Sequence, residues 1–353
     1  MFIQVYMPNN TILITGGAGY IGSHTCIELL KQYPNNNIII VDNLSNSKID
    51  VMDDIKNITK KNDISFYNVD LFDKDGLANI FKLYQPYAVI HFAGLKSVSE
   101  SISKPELYYK NNIVATITLL EIMQKYQCHN LIFSSSANVY GSGKSPLSED
   151  SPIGIGITNP YGRTKYMLEC ILQDFCVANE KLNVIALRYF NPIGAHSSGL
   201  IGENPNDTPN NLMPYLLKVA ATNNKQKSFG DNFDILNIFG NDYDTNDGTC
   251  ERDFIHVVDL AKAHVSALKS LTTLKHYQVF NVGTGKSTSV LELLRTFEKV
   301  NKVNIPYKFQ PRRVGDIAIC FCNPGRTHSA LHWKAGYTIE DMCRDAWNYQ
   351  IKN

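Results

Sequence analysis

The chain has 353 residues, of which 44% are hydrophobic, and its 34 Lys+Arg against 33 Asp+Glu leave a formal net charge of +1. No basic run is long enough to track a phosphate backbone, which argues against nucleic acid as a partner, and no apolar run approaches the roughly 20 residues of a membrane span. Eight Cys in a chain of this length do not make a disulfide framework. The tight pair Cys320 and Cys322 is C-x-C, so reduced thiols are expected. The nine His show no H-E-x-x-H or mixed Cys/His spacing, so no metal is expected. The opening MFIQVYMPNNTILITGG has neither a basic region nor a small-residue cleavage site, and a cytoplasmic address is the expectation.

In chain order, TILIT (Thr11–Thr15) is a short β-branched run that meets glycines, and a helix-like stretch over 19–33 follows it. The pattern repeats with NIIIVD ending at Asp42, SFYNVD ending at Asp70, AVIHFAG over 88–94, NLIFSSS over Asn130–Ser136 and NVIALRYF over 183–190. Amphipathic stretches at 104–125 and 161–179 separate some of them. Buried apolar strands alternating with helices predict an α/β fold with a doubly wound parallel sheet of Rossmann type over 1–190. After Phe190 the texture changes: NPIGAHSSGLIGENPNDTPNN and GNDYDTNDGT are dense in Asn, Asp, Gly and Pro, as binding loops are. Strand signals return in FDILNIFG, RDFIH and YQVFNVG, with helices near 258–270 and 289–301. The expectation is a smaller C-terminal α/β lobe, mainly substrate-binding, over 191–353, with segments of this later chain packing back onto the first domain.

The turn TGGAGYIG satisfies two dinucleotide templates at once, Gly17-x-Gly19-x-x-Gly22 and Gly16-x-x-Gly19-x-x-Gly22. The backbone there must turn sharply, approach a pyrophosphate and pack a helix on a strand, and the phosphates then sit at the positive helix end. Asp42 ends the next strand, where an acid accepts hydrogen bonds from a ribose diol and repels a 2′-phosphate. No Arg stands among Asn43, Leu44, Ser45, Asn46 and Ser47, so NAD is favoured over NADP. A cap on the following turn is the plainer reading of Asp42. Further on, TNPYGRTKYMLEC opens with Asn-Pro, a helix entry, which puts Tyr161 and Lys165 one turn apart on one face. In isolation such a pair is far more often a surface pair.

Nearly end to end, the chain resembles the extended short-chain dehydrogenase/reductase family, and more narrowly its branch of UDP-hexose 4-epimerases. The resemblance runs through TGGAGYIGSHT, DNLSNS, HFAGLKSVSES, FSSSANVYG, NPYGRTK, LRYFNPIGAH, PNNLMPY, IFGNDYDTNDGT, RDFIHVVDLA and PRRVGD. It implies that Tyr161 is the acid/base, that Lys165 binds the nicotinamide ribose, and that Ser136, third of its run, bonds the reacting hydroxyl. Ser134 and Ser135 are expected only to finish the strand. A free phenol has a pKa of about 10, and a nearby ammonium with the positive nicotinamide is expected to bring it closer to working pH.

The same resemblance implies a cofactor shell of Gly16, Gly19, Tyr20, Ile21 and Gly22 at the pyrophosphate turn, and Asp42 to Ser47 around the adenosine ribose. Asp70 and Leu71 would lie at adenine, and Phe92, Ala93, Gly94, Leu95, Lys96, Asn112 and Phe190 along the nicotinamide side. For a uridine diphosphate sugar it implies Asn191, Asn211, Leu212, Asn237, Ile238, Phe239, Arg252, Arg313 and Asp316. Two arginines suit a diphosphate. The bland alternative pairs them with Asp253 and Asp316.

Several positions depart from the family pattern. Asn138 stands where Thr or Ser is common, Ala115 where Gly is usual, and Cys250 and Glu251 replace Gly-Val. Cys320 occupies a place where several bacterial members put a Tyr against the sugar's second carbon, while members with a small residue accept an N-acetyl group. UDP-N-acetylhexosamines are therefore expected as additional substrates, unless Cys320 is simply a small buried hydrophobe.

The reaction implied is reversible epimerisation of UDP-glucose and UDP-galactose at carbon 4 through a 4-keto sugar, for which an unactivated carbinol carbon requires a hydride acceptor. Other readings are a nucleotide-sugar 4,6-dehydratase or decarboxylase, or a catalytically silent NAD-binding scaffold. A dehydratase typically needs Asp-Glu after the serine or threonine, whereas Ala137 and Asn138 follow Ser136. A silent scaffold has no chemical reason to keep Ser136, Tyr161 and Lys165 together. Family members pair through two helices each, so a homodimer through 104–125 and 161–179 is expected.

Overall fold

Alternation decides which side of the sheet each apolar side chain enters. In β1 (Thr11–Thr15), Ile12 and Ile14 pack into one core and Leu13 into another, and all three are fully buried. A computed structural model describes residues 11–61, 64–205, 209, 211–227, 229, 233–313 and 315–353. The start of the chain, 206–208 and 210 in the loop after Phe190, and 314 in PRRVGD lie outside the described residues.

Next to β1 stand β2 (Asn37–Val41), β3 (Ile64–Tyr67), β4 (Ala88–His91), β5 (Asn130–Ser136) and β6 (Asn183–Tyr189). With the strand Tyr277–Val282 they make one seven-stranded sheet in the order Tyr277–Val282, β6, β5, β4, β1, β2, β3, with parallel pairing throughout. Strand order reverses between β1 and β4, so the crevice for a ligand opens beyond their carboxyl ends. This is the Rossmann-type architecture expected. Two segments of the later chain pack back here: the helix Val257–Ser270 lies against the sheet, and YQVFNVG is its edge strand, with Tyr277 opposite Val184 and Val282 opposite Tyr189. A short strand carries no mark of its partner, so its sheet is decided by tertiary pairing alone.

The helices Tyr20–Gln32 and Val257–Ser270 cover one face, while Lys74–Tyr84, Ala115–Lys125 and Pro160–Ala178 cover the other. The stretch 104–125 is interrupted. After the turn Pro105–Tyr108 comes a wide π-helical turn, Tyr109–Val114, before Ala115–Lys125. That turn buries Asn112, whose Oδ1 accepts from the Leu95 N–H at 2.8 Å and whose Nδ2 donates to the Leu95 carbonyl and to Thr164 Oγ1, each at 3.0 Å. It thereby ties the end of β4 to the helix that carries Tyr161.

The second core is smaller. Leu212–Asn223, Val290–Asn301 and Ile339–Lys352 pack around Leu216, Leu293, Phe297 and Trp347. Leu236–Phe239 pairs there with Tyr307–Gln310, and Thr288–Ser289, Glu251–Arg252 and Ile319–Cys320 form a three-stranded patch. Ser289 with Glu292, and Thr338 with Asp341, close reciprocal caps on two of these helices. Among the described residues no helix is long and apolar enough to cross a membrane.

Candidate active site

The glycine turn is forced by contact as well as by conformation. Gly16 has φ +68°, and a Cβ there would lie 2.6 Å from the Ala93 nitrogen; one on Gly22 would lie 2.3 Å from the Gly16 carbonyl oxygen. The helix that follows begins at Gly19 with no side-chain cap and no acid in its first turn. Open N–H groups at a positive helix end suit a diphosphate, so the chain's own geometry fits a dinucleotide.

Asp42 sits at the end of β2 and works on both of its neighbours. One carboxylate oxygen accepts from the Ala18 N–H at 3.1 Å, and the other from the Leu44 N–H and Ser47 Oγ, each at 2.9 Å. It therefore braces the loop as a cap would, while two oxygens with about four acceptor sites keep capacity for a ribose. Asn43 Nδ2 donates to Asp70 at 2.8 Å, which joins the ends of β2 and β3, and Ser45 N–H donates to Asn43 at 3.1 Å. Asn46 is exposed in the same loop, and Leu71 is buried beside Asp70. Ile21 packs into the core under the turn. Tyr20 donates to the Gly194 carbonyl at 2.7 Å, and Lys96 pairs with Glu203 at 2.6 Å. Phe92 stacks at a tilt on His264, with centroids 4.7 Å apart, and Phe190 is buried with its N–H on Val282. These residues stand at the carboxyl ends of β1, β2, β3, β4 and β6 or in the segments that follow them.

A second group gathers at the end of β5. Asn159 caps the helix Pro160–Ala178 by accepting from the Gly162 N–H at 2.7 Å, with proline next to it, which is the entry the sequence indicates. Lys165, which is buried, donates through Nζ to the Ser134 carbonyl at 2.6 Å and to Ser134 Oγ at 3.3 Å. Burial pushes its pKa down to about 8, against the opposing pull of the Glu169 charge. Tyr161, partly buried, meets Ser136. Burial raises the phenol above its ordinary value, and the Ser136 hydrogen bond is what lowers it. The Lys165 charge is not among the causes of that shift, and two of the three ammonium donors go to Ser134.

The roles expected of Ser134 and Ser135 change as well. Ser134 holds Lys165, and Ser135 Oγ donates to Glu169 Oε1. Glu169 grips Arg188 of β6 through Nε at 3.0 Å and Nη2 at 2.7 Å, and Arg188 Nη1 donates to Tyr140 at 2.8 Å. Tyr140 donates in turn to Asn281 of the edge strand at 2.7 Å. Beside this network, His264 donates through Nδ1 to the Leu260 carbonyl, so its Nε2 accepts from Tyr189 at 2.5 Å. Sequence reasoning missed Glu169, Arg188, Tyr189 and His264. A charge inside the buried run NVIALRYF demanded a buried partner, and Glu169, one turn beyond Lys165, was the available acid.

The third group lies in the smaller lobe. Arg252 Nη2 approaches Asp316 at 3.6 Å, and its Nη1 donates to the carbonyls of Glu251 and Ile317 at 2.8 and 2.9 Å. Cys320 lies opposite Arg252 in the ladder, partly buried, with its thiol pushed up to about 11 chiefly by burial. The Arg313 guanidinium sits 3.9 Å over the Phe239 ring, in the strand that also carries Asn237 and Ile238. Asn191 begins a two-stranded pair with Phe254–His256, and Asn211 and Leu212 open the helix Leu212–Asn223. Asp253 does not serve Arg252. It is buried and accepts from Thr284, Gly285 and Cys322. The departures Cys250 and Glu251 fit this arrangement, with Cys250 buried and Glu251 accepting from Ser287 at 2.6 Å.

Known proteins resemble this chain over nearly its whole length. The UDP-glucose 4-epimerase of Bacillus subtilis (strain 168) is 50% identical over 343 residues, covering 97% of each chain. The structure of UDP-glucose 4-epimerase from Bifidobacterium longum in complex with NAD+ and UDP superposes with a TM-score of 0.90 at 44% identity, covering 97% of this chain and 98% of that one. The UDP-Glc/GlcNAc 4-epimerase of Campylobacter jejuni gives 0.81 at 37% identity, covering 98% and 100%. Residues 12–283, from β1 through the edge strand, match the NAD dependent epimerase/dehydratase family, and the chain belongs to that family.

Proposed function

We propose that this chain interconverts UDP-glucose and UDP-galactose by inverting carbon 4, as an NAD-dependent isomerase of galactose metabolism. The observation that carries the reading is the meeting of Ser136, Tyr161 and Lys165 at one strand end, beside a glycine turn whose helix terminus is open to a diphosphate. NAD, when bound, supplies the hydride acceptor and donor that a carbinol carbon requires. Tyr161 takes the proton from the 4-hydroxyl and returns it to the same oxygen after the 4-keto sugar has turned its other face to the hydride donor, while Ser136 holds the reacting oxygen and Lys165 binds the nicotinamide ribose. Arg252 and Arg313 hold the diphosphate, so the hexose can turn without leaving. Asn191, Asn211, Leu212, Asn237, Ile238, Phe239 and Asp316 complete the uridine diphosphate site.

Cys320 extends the substrate range. A thiol leaves open the volume that a Tyr would fill, and a solved relative is named for both UDP-Glc and GlcNAc. Interconversion of UDP-N-acetylglucosamine and UDP-N-acetylgalactosamine is therefore part of the proposal. Ala137 and Asn138 after Ser136 leave no acid pair for dehydration.

Homodimerisation is proposed through 104–125 and 161–179, which expose Leu107, Val114, Met167 and Val177, apolar side chains of the sort that interfaces cover. Eight free thiols suit a reducing compartment, which favours the cytoplasm. The test is to incubate the purified protein, without added NAD, first with UDP-galactose and then with the N-acetylated sugars, following the products by NMR. Formation of the 4-epimers is expected. No conversion of any of them, with NAD then added, would reject the proposal.

A further inference from the structure

Asn138 stands where the resemblance leads one to expect a hydroxyl, and its side chain turns back on the strand end. Ser136 caps the single 3-10 turn Ala137–Tyr140, and its Oγ accepts from the Asn138 backbone N–H at 3.2 Å and from Asn138 Nδ2 at 3.0 Å. A serine hydroxyl has two acceptor lone pairs and one proton. With both lone pairs engaged by one residue, Ser136 keeps only its proton, which goes to Tyr161 in the sugar-free site and to the reacting oxygen when a sugar is bound and Tyr161 is protonated. Asn138 is itself held, because the helix carrying Tyr161 packs against it: a Cβ on Gly162 would lie 3.1 Å from Asn138 Cβ.

We infer that Asn138 is a positioning residue that makes Ser136 an obligate hydrogen-bond donor, in the sugar-free site to the Tyr161 oxygen. This rests on the roles proposed above for Ser136 and Tyr161. A donor aimed at the phenol oxygen stabilises the anion that takes the sugar proton. When Tyr161 is protonated, Ser136 cannot accept, and the phenolic proton is directed to the sugar oxygen. Asn138 does this without touching the substrate.

Other groups also act on Tyr161 and Lys165. On its own helix stand Lys165 and, one turn further, Glu169. On β6, Tyr189 is pushed up by burial and by the Tyr161 charge, and it bonds His264 of the helix Val257–Ser270. On β4, His91 is pushed down to about 3 by burial and by the Lys165 charge. Substituting Asn138 leaves all of these in place, so its contribution is read as a difference.

The test is a titration of Tyr161 in the full chain with NAD at saturation, from phenolate absorbance. Each protein is compared with its own Tyr161→Phe counterpart. In Asn138→Asp, which is isosteric and can accept the Ser136 proton, and in Asn138→Ala, the Tyr161 pKa is expected to rise by about one unit, the size of one charge-assisted hydrogen bond. The kcat for UDP-galactose should fall about tenfold with little change in KM, and the acid limb of its pH profile should move by the same amount. Asn138→Thr, which restores a hydroxyl, should lie between them and the unsubstituted protein. An unchanged Tyr161 pKa in Asn138→Ala overturns the inference, even if turnover drops and even if the added charge of Asn138→Asp raises the phenol by itself. If the unsubstituted protein epimerises nothing while the variants still shift Tyr161, the proposed activity fails and the role of Asn138 stands.

Discussion

Two arginine–carboxylate pairs flank the candidate site, and they are built in opposite ways. Arg188 and Glu169 are 3% and 0% exposed, meet through two bonds at 3.0 and 2.7 Å, and are bonded further by Tyr140 and Ser135. Arg252 and Asp316 are 17% and 35% exposed and come no closer than 3.6 Å. The first pair bridges β6 and a long helix. The second joins a two-residue strand to a loop. A buried pair with its partners in place cannot exchange them without exposing a charge to a low dielectric, so it fixes the frame behind Ser136, Tyr161 and Lys165. A long, half-exposed pair loses little when an anion replaces the carboxylate. The contrast suggests a rigid end for proton transfer and a yielding end for gripping a diphosphate.

The largest effect tests the rigid end directly. Tyr161→Phe is expected to lower epimerisation kcat by about 10²–10⁴, measured by NMR, with an unchanged denaturation midpoint. Near-normal turnover would remove Tyr161 from the chemistry. Next, Arg188→Met leaves Glu169 buried without its partner, and urea unfolding should register a loss of about 3–5 kcal/mol. A loss below 1 kcal/mol, on the order of an exposed pair, would erase the distinction between the two regions.

Lys165 gives the rigid end a pH signature. Its ordinary pKa of 10.5 falls to about 8 in the folded chain, so between those values the unfolded state holds a proton that the folded state has lost. Stability must then rise with pH across that window, and the cost of burying the charge is fully present below it. Relative to Lys165→Met, which has no such group, the nucleotide-free protein should gain about 3 kcal/mol as pH passes from below 8 to above 10.5. Parallel unfolding curves for the two proteins would show that Lys165 titrates as an exposed lysine does.

Some of this was legible in the chain and some was not, for physical reasons. β1 and its neighbours announce themselves because both faces of the sheet are buried, which leaves continuous apolar runs such as NIIIV. Tyr161 and Lys165 follow from helical spacing behind a proline entry. Spacing cannot say where an ammonium points, and Ser134 offers it two oxygens. The π-helical turn at Tyr109–Val114 has no Gly or Pro to signal it. The joining of Arg188 to Glu169 depends on which strand faces which helix, and the placement of Tyr277–Val282 depends on a partner 93 residues earlier in the chain, Val184 against Tyr277. Long-range pairing leaves only an indirect trace in sequence, the unmatched charge or the displaced strand.

Two smaller effects probe the yielding end. Cys320→Tyr fills volume next to Arg252 in the ladder and should cut turnover of the N-acetylated sugars at least about tenfold relative to UDP-galactose, as competing kcat/KM values measured by NMR. An equal loss for both substrate classes would mean that Cys320 does not face the sugar.

The smallest effect is the sharpest test of the contrast between the pairs. Asp316→Asn removes a carboxylate 3.6 Å from a guanidinium that already donates to two backbone carbonyls, so no buried charge is stranded. Urea unfolding should change by less than about 1 kcal/mol, and that small difference should shrink further in high salt, because water and ions reach both groups. Arg188→Met offers the control within the same fold, since salt cannot screen a carboxylate whose side chain is 0% exposed. If Asp316→Asn instead cost as much as Arg188→Met and resisted salt, Arg252 would be locked to its carboxylate, and the diphosphate would have to be held by Arg313 over Phe239.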